Sequence, residues 1–227
     1  MDEERGAPVT PAAVPPPRIS GRQPGWDAPF IASLQQLNPD PRTTDRRPDL
    51  GALAALRRGL GREPGEVIEM CRYVDAFPIP TGAEERAAYL VASLFGWHPR
   101  HQDPGERPDG TPERPRNLGD ALWQLQNMES AEPAGVERRF MALLDADRSD
   151  LDNHLRQIVS RLRQADIPLD YARLLRDIRS WDHPDRFVQR QWARSYWGGQ
   201  PSAPTPGSTA VDEVANGAGL PAEDVGG

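Results

Sequence analysis

Arginines set at helical spacing on otherwise apolar segments are the residues of this chain best suited to chemistry, and the chemistry they suit is phosphate recognition. Between Gly135 and Ala165 the sequence predicts two amphipathic helices. In the first, GVERRFMALLDADR, Val136, Phe140, Leu143 and Leu144 share one face, and the adjacent Arg138 and Arg139 fall near its solvent edge. In the second, SDLDNHLRQIVSRLRQAD, Leu151, Leu155, Ile158, Val159 and Leu162 recur at helical period, while Arg156 and Arg163 lie seven residues apart on another face. All 27 basic residues are Arg and there is no Lys, a usage that codon preference in a GC-rich genome explains. Its physical result is that each cation is a planar fork able to grip a phosphate in two places.

A net charge of −7 argues against a nucleic-acid partner until it is divided by segment. Residues 1–45 hold four Arg against six acids, the stretch from 198 holds none against four, and residues 46–197 hold 23 against 24. The central part is therefore near neutral, and within it residues 155–197 carry nine Arg against five acids, so a local basic surface is compatible with an acidic chain. Ten prolines lie in residues 1–48, and residues 198–227 are Gly, Pro, Ala, Ser and acid without an aromatic side chain. Neither flank can bury enough apolar surface to fold alone. The expected organisation is a Pro-rich flexible segment over 1–45, one compact helical domain over 46–197, and a disordered Gly/Pro/acidic tail over 198–227. MDEERG offers no basic and apolar leader, no run spans a bilayer, and the single Cys71 excludes an intramolecular disulfide, so a cytoplasmic chain is expected.

Helix signals run through the central part. Pro48 and Asp49 open DLGALAALRRGLG, with Gly61 placed to stop it and Leu50, Leu53, Leu56 and Leu60 on one side. EVIEMCRYVDAF follows, and Gly82 precedes AEERAAYLVASLFGWH, which is nearly all apolar after Arg86 and so reads as the central buried helix. Residues 98–116 hold five prolines and no apolar residue and read as a long exposed loop. LGDALWQLQNM, the two helices above, LDYARLLRDIRSW and a helix starting near Pro184 complete the set. No segment alternates like a strand, and the fold class is all-α, a helical bundle. In the last helix Arg186, Arg190 and Arg194 form a row open to solvent or phosphate, whereas the row Arg173, Arg176, Arg179 has Asp170 and Asp177 close enough to pair with it.

Catalytic and metal motifs are missing. Asp145, Asp147, Ser149, Asp150 and Asp152 imitate a calcium loop but lack its glycine and its bidentate Glu; Ser149 as an N-cap with Asp152 three residues on accounts for them better. Four histidines and one cysteine make no zinc framework, no nucleophile elbow or phosphate-cradling glycine loop occurs, and His101 beside Asp103 lies in the long loop. No cofactor and no enzymatic activity are expected. Trp97, Trp123, Trp181 and Trp192 fall on apolar faces and read as core.

Several local patterns together resemble CasB, the small helical subunit of the type I-E CRISPR effector Cascade. They are LRRGLGREPGEV around Arg57 and Arg58, RHQD at Arg100 to Asp103 followed by Leu118 and Gly119, ERR at Glu137 to Arg139, ADR at Ala146 to Arg148, LR at Leu155 and Arg156, and LDY at Leu169 to Tyr171 with Trp181 beyond. Tyr171 stands where that family more often has Trp, and the resemblance does not cover the two flanks. It implies an all-α, noncatalytic subunit present as a head-to-tail pair, binding nucleic-acid backbone nonspecifically and stabilising the R-loop. The implied partners are a second copy, the Cascade backbone subunits, the large subunit, CRISPR RNA, and the target and displaced DNA strands, with no membrane. By motif it carries phosphate contact onto Arg57, Arg58, Arg138, Arg139, Arg148 and Arg156; surface placement adds Arg62, Arg163 and Arg190. Arg148 follows Asp145 and Asp147 and could serve only to neutralise them. The competing readings are a helical module whose Arg rows meet an acidic protein, and a transcription regulator reading bases through QRQWAR at Gln189 to Arg194, though no short helix-turn-helix connection precedes that segment.

Overall fold

A computed structural model describes residues 25–41, 44–103, 116–128 and 133–198. Among these residues the chain forms nine helices and no strand: α1 Asp27–Leu37, α2 Leu50–Arg57, α3 Ile68–Val74, α4 Ala83–Trp97, α5 Leu118–Gln126, α6 Pro133–Leu144, α7 Arg148–Gln164, α8 Tyr171–Arg179 and α9 Phe187–Gly198. The all-α bundle read from periodicity is the architecture observed.

The apolar run after Arg86 makes α4 the centre. Every residue from Ala87 to Gly96 is buried, and α2, α3, α7 and α8 pack around it. A second group, α5, α6, α7 and α9, closes on Phe140, Trp192 and Tyr196, all 0 % exposed. Two glycines permit the closest approaches. A Cβ on Gly96 would lie 2.7 Å from the Arg57 amide nitrogen of α2, and one on Gly119 only 2.1 Å from the Trp192 carbonyl oxygen of α9, so larger residues would force these helix pairs apart. Asp177, buried on α8, ties α8 to α9 by accepting from Trp192 Nε1 at 2.7 Å and from Arg173 Nε at 2.8 Å. Burial pushes its carboxyl above the ordinary value, the two donors opposing it.

Four expectations are corrected. Residues 27–37, placed by composition in a flexible Pro-rich segment, form α1: Phe30, Ile31 and Leu34 are buried, Trp26 Nε1 donates to Glu84 Oε2 at 3.0 Å, and Arg179 bonds the same carboxylate at 2.8 Å. So short a helix is stabilised by docking rather than by its own propensity. Residues 1–24 and the tail beyond 198 lie outside the described residues. Leu50 is 73 % exposed, because Asp49 caps α2 by accepting the Ala52 N–H at 2.9 Å and the buried face is Ala52, Leu53, Ala55 and Leu56. Ser149 is no N-cap: α7 begins at Arg148, Asp147 precedes it without a side-chain cap bond, and Asp152 sits inside the helix, its carboxyl raised by burial.

The fourth concerns residues 98–103, whose backbone and histidines are docked while Arg100 and Asp103 stay exposed. His98 is buried and its Nε2 donates to the Ile167 carbonyl at 2.7 Å; Gln102 N–H reaches Leu169 O at 2.9 Å, and His101 Nδ1 accepts the Tyr171 N–H at 3.2 Å. Tyr171 is fully buried and its hydroxyl donates to the His98 carbonyl at 2.6 Å, taking a helix-end carbonyl of α4 that lacks a helical partner. Residues 104–115, the rest of that expected loop, lie outside the described residues.

Candidate nucleic-acid interface

The end of α4 is where α2 and α7, which carry several of the candidate arginines, come together. Trp97 closes α4 and donates from Nε1 to Ser160 Oγ of α7 at 3.1 Å, and the Gly96 contact brings the end of α2, with Arg57, against the same place. Burial, and after it the charge of Glu63 in the turn after α2, raises the Asp152 carboxyl of α7. Asp152, Arg156 and Ser160 are successive members of one i, i+4 row. Arg156 is thus one turn before Ser160, whose hydroxyl takes the Trp97 N–H at the end of α4. Arg163, one turn beyond Ser160, places its guanidinium carbon 4.4 Å from the centroid of the Trp97 ring.

Around this junction Arg57, Arg62, Arg156 and Arg163 are exposed and none is held in an ion pair by a described residue. Arg58 pairs with Glu69 at 3.1 Å, with both side chains more than half exposed, a contact that solvent screens and a phosphate can replace. Arg138 on α6 and Arg190 on α9 are likewise exposed and without an ion pair among the described residues.

Two candidates are engaged internally. Arg139 donates to the Gly135 carbonyl of its own helix at 2.8 Å. Arg148 does not neutralise Asp145 and Asp147; its Nε donates to Asp182 at 2.8 Å and its guanidinium to the Ile178 carbonyl at 2.7 Å, joining α7 to the end of α8. The row Arg186, Arg190, Arg194 is broken as well. Arg186 precedes α9 with φ +47, and its guanidinium donates to the Leu144 carbonyl at the end of α6, with Asp145 at 3.8 Å. Of the other row, Arg173 pairs with Asp177 as its spacing suggested, while Arg179 takes Glu84 instead and Asp170 caps α8 through the Arg173 N–H at 2.8 Å.

Sequence reasoning missed Trp97 as part of this surface: it is half-buried, with its N–H and one ring contact turned to the polar side of α7. The available signal was the Ser160/Arg163 spacing on that helix. Arg100, exposed and paired with Asp166 at 3.1 Å, also belongs to the rim. Among the described residues no three His, Cys, Asp or Glu side chains are grouped to hold a metal, and no helix is long and apolar enough to cross a membrane.

Comparison with known proteins agrees with this architecture. Residues 52–197 match the family model of the CRISPR-associated protein Cse2. The Cse2 protein of Thermus thermophilus is 39 % identical over 151 residues, covering 65 % of this chain and 79 % of that protein. The crystal structure of CasB from Thermus thermophilus superposes with a TM-score of 0.57 at 35 % identity, over 76 % of this chain and 97 % of that one. A chain of a CRISPR RNA-guided surveillance complex gives a TM-score of 0.59 at 26 % identity, over 76 % of this chain and 91 % of its own. The match begins within α2 and ends within α9, so it takes in the whole arginine-bearing junction of α2, α4 and α7, and the chain belongs to the Cse2 (CasB) family of CRISPR-associated proteins.

Proposed function

We propose that this chain is a nonenzymatic subunit of a Cascade CRISPR surveillance complex that holds nucleic-acid backbone without reading its sequence and stabilises the R-loop during target recognition. Its partners on this reading are a second copy of itself, the Cascade backbone subunits and large subunit, CRISPR RNA, and the target and displaced strands. The observation that carries the proposal is the junction of α2, α4 and α7, where Arg57, Arg62, Arg156 and Arg163 stand exposed without described carboxylate partners on a chain that is acidic overall. Opening a duplex against a guide RNA exchanges one helix for another of similar stability, so a few backbone contacts are enough to tip it. Exposed arginines on α2, α7 and the turn after α2, with no base-reading constellation beside them, suit that task.

Fluorescence anisotropy of a labelled single strand of arbitrary sequence, titrated at several salt concentrations, tests the proposal. About four phosphate contacts predict a log–log slope near −3 for single strands, the same for unrelated sequences. Replacing Arg57, Arg62, Arg156 and Arg163 together by Glu should abolish that binding and slow R-loop formation by the reconstituted complex. Unchanged R-loop formation by a complex carrying the fourfold variant would sink the proposal.

A further inference from the structure

Arg163 differs from Arg57, Arg62 and Arg156 in having one face already occupied by an aromatic ring. Its guanidinium carbon lies 4.4 Å from the Trp97 ring centroid, and the nearest acid along the chain, Asp166, is taken by Arg100 at 3.1 Å. The indole beneath it is fixed from several sides. Trp97 Nε1 donates to Ser160 Oγ at 3.1 Å, and the Ser160 hydroxyl donates in turn to the Arg156 carbonyl at 2.7 Å. Behind the ring, Gly96 abuts α2; ahead of it, His98 is pinned by the Ile167 carbonyl and by the Tyr171 hydroxyl. The most buried helix of the protein thus ends in a clamped ring, and α7 lays an arginine on it.

We infer that Trp97 is a positioning residue for nucleic-acid binding, holding Arg163 in one orientation beside Arg156 so that a phosphate meets a guanidinium that has already lost its rotamer freedom. This rests on the proposed function. The guanidinium N–H groups lie in its own plane, so contact through one face leaves the donors available at its edge. Ordering a long, rotamer-rich side chain at an interface weakens binding by about 2- to 10-fold, and a side chain ordered beforehand escapes that loss. The stack therefore strengthens the Arg163 contact without adding a charge.

A double-mutant cycle on the full chain, Trp97→Leu, Arg163→Ala and both together, tests this with the single-strand titration and thermal unfolding of each variant. Arg163→Ala should weaken binding and flatten the salt slope by about 0.7, one single-strand phosphate contact. Trp97→Leu should weaken binding by about 2- to 10-fold at an unchanged slope, because the charge remains. The double variant should bind no more weakly than Arg163→Ala. If Trp97→Leu weakens binding equally in the Arg163→Ala background, or leaves binding untouched while Arg163→Ala weakens it, the positioning role is overturned and the proposed function stands. A wild-type chain that binds no strand at low salt overturns both. Should Trp97→Leu fail to fold, Ser160→Ala, which frees the indole but keeps ring and guanidinium, should weaken binding about 2-fold, and additivity with Arg163→Ala would again refute the inference.

Discussion

Arg148 is the arginine for which the motif-based and structural readings diverge most, and its replacement by Ala separates them. The side chain is 27 % exposed and makes two bonds, to Asp182, itself 59 % exposed, and to the Ile178 carbonyl in the last turn of α8. The pair with an exposed carboxylate contributes at most about 1 kcal/mol. A hydrogen bond from a cation is worth about 1.5–3 kcal/mol when dry, and here it takes the low end, because the Ile178 carbonyl also accepts the Trp181 N–H and is not orphaned by the loss. The sum is about 2 kcal/mol, which for a domain of about 150 residues lowers Tm by roughly 4–8 °C. Salt dependence of single-strand binding should not change. Arg156→Ala should do the reverse, leaving stability within about 0.5 kcal/mol and flattening the slope by about 0.7. Differential scanning calorimetry and salt-resolved anisotropy on both variants decide the matter. An Arg148→Ala chain with unaltered Tm and a flattened slope would refute this division of the arginines.

Two further outcomes follow from buried groups. Asp177→Ala strands the buried Trp192 indole N–H and leaves Arg173 with Gln191 alone, so urea denaturation should show a loss of about 3 kcal/mol; a loss under about 1 kcal/mol would mean that the α8–α9 joint does not depend on this carboxylate. His98 is 1 % exposed and burial holds its imidazole below the ordinary value of 6.5, so its contribution to stability is complete above that pH and is lost as pH falls through 6.5 toward the folded value. Wild-type Tm should therefore fall on acidification across that range more steeply than that of His98→Gln, whose amide can still donate to Ile167. Parallel curves for the two proteins would show that His98 is not the group responsible. The raised carboxyls of Asp152, Asp170 and Asp177 act with the opposite sign, stabilising most fully below the ordinary 3.8 and less as pH rises through their folded values, so the comparison with His98→Gln isolates the imidazole.

Periodicity carried the helices because each apolar stripe is a local pattern: Leu151 through Leu162 are buried along α7, and the apolar run of α4 is the centre of the molecule. What escaped were features set by residues distant in sequence. Prolines in the N-terminal segment concealed α1, whose stability comes from docking on Glu84 and Arg179. Residues 98–103 look like loop by composition, yet they find donors and acceptors in the α7–α8 connection. The arginines were legible as a set but not individually. Arg148 and Arg156 are both arginines at the polar margin of one helix, and only the partners brought by α8 distinguish them.

On the proposed function this acidic chain must keep its own carboxylates from neutralising a phosphate-binding face, and the pairing pattern is compatible with that. Arg148, Arg179 and Arg186 meet Asp182, Glu84 and Asp145 across separate segments, and Arg173 meets Asp177 within α8. On the junction of α2, α4 and α7 the acid nearest to Arg163 along the chain, Asp166, is claimed by Arg100. At physiological ionic strength charges more than about 8 Å away are largely screened, so acids on the far sides of the bundle subtract little from a phosphate held at the junction. They do act on approach: a net charge of −7 gives no long-range attraction for a polyanion. Such a surface is poorly suited to capturing free nucleic acid and well suited to holding a strand that neighbouring subunits have already brought within a few ångströms. On the proposed function, binding by the isolated chain should accordingly be weak and steeply salt-dependent, and the same arginines should matter more once the strand is tethered by the assembled complex.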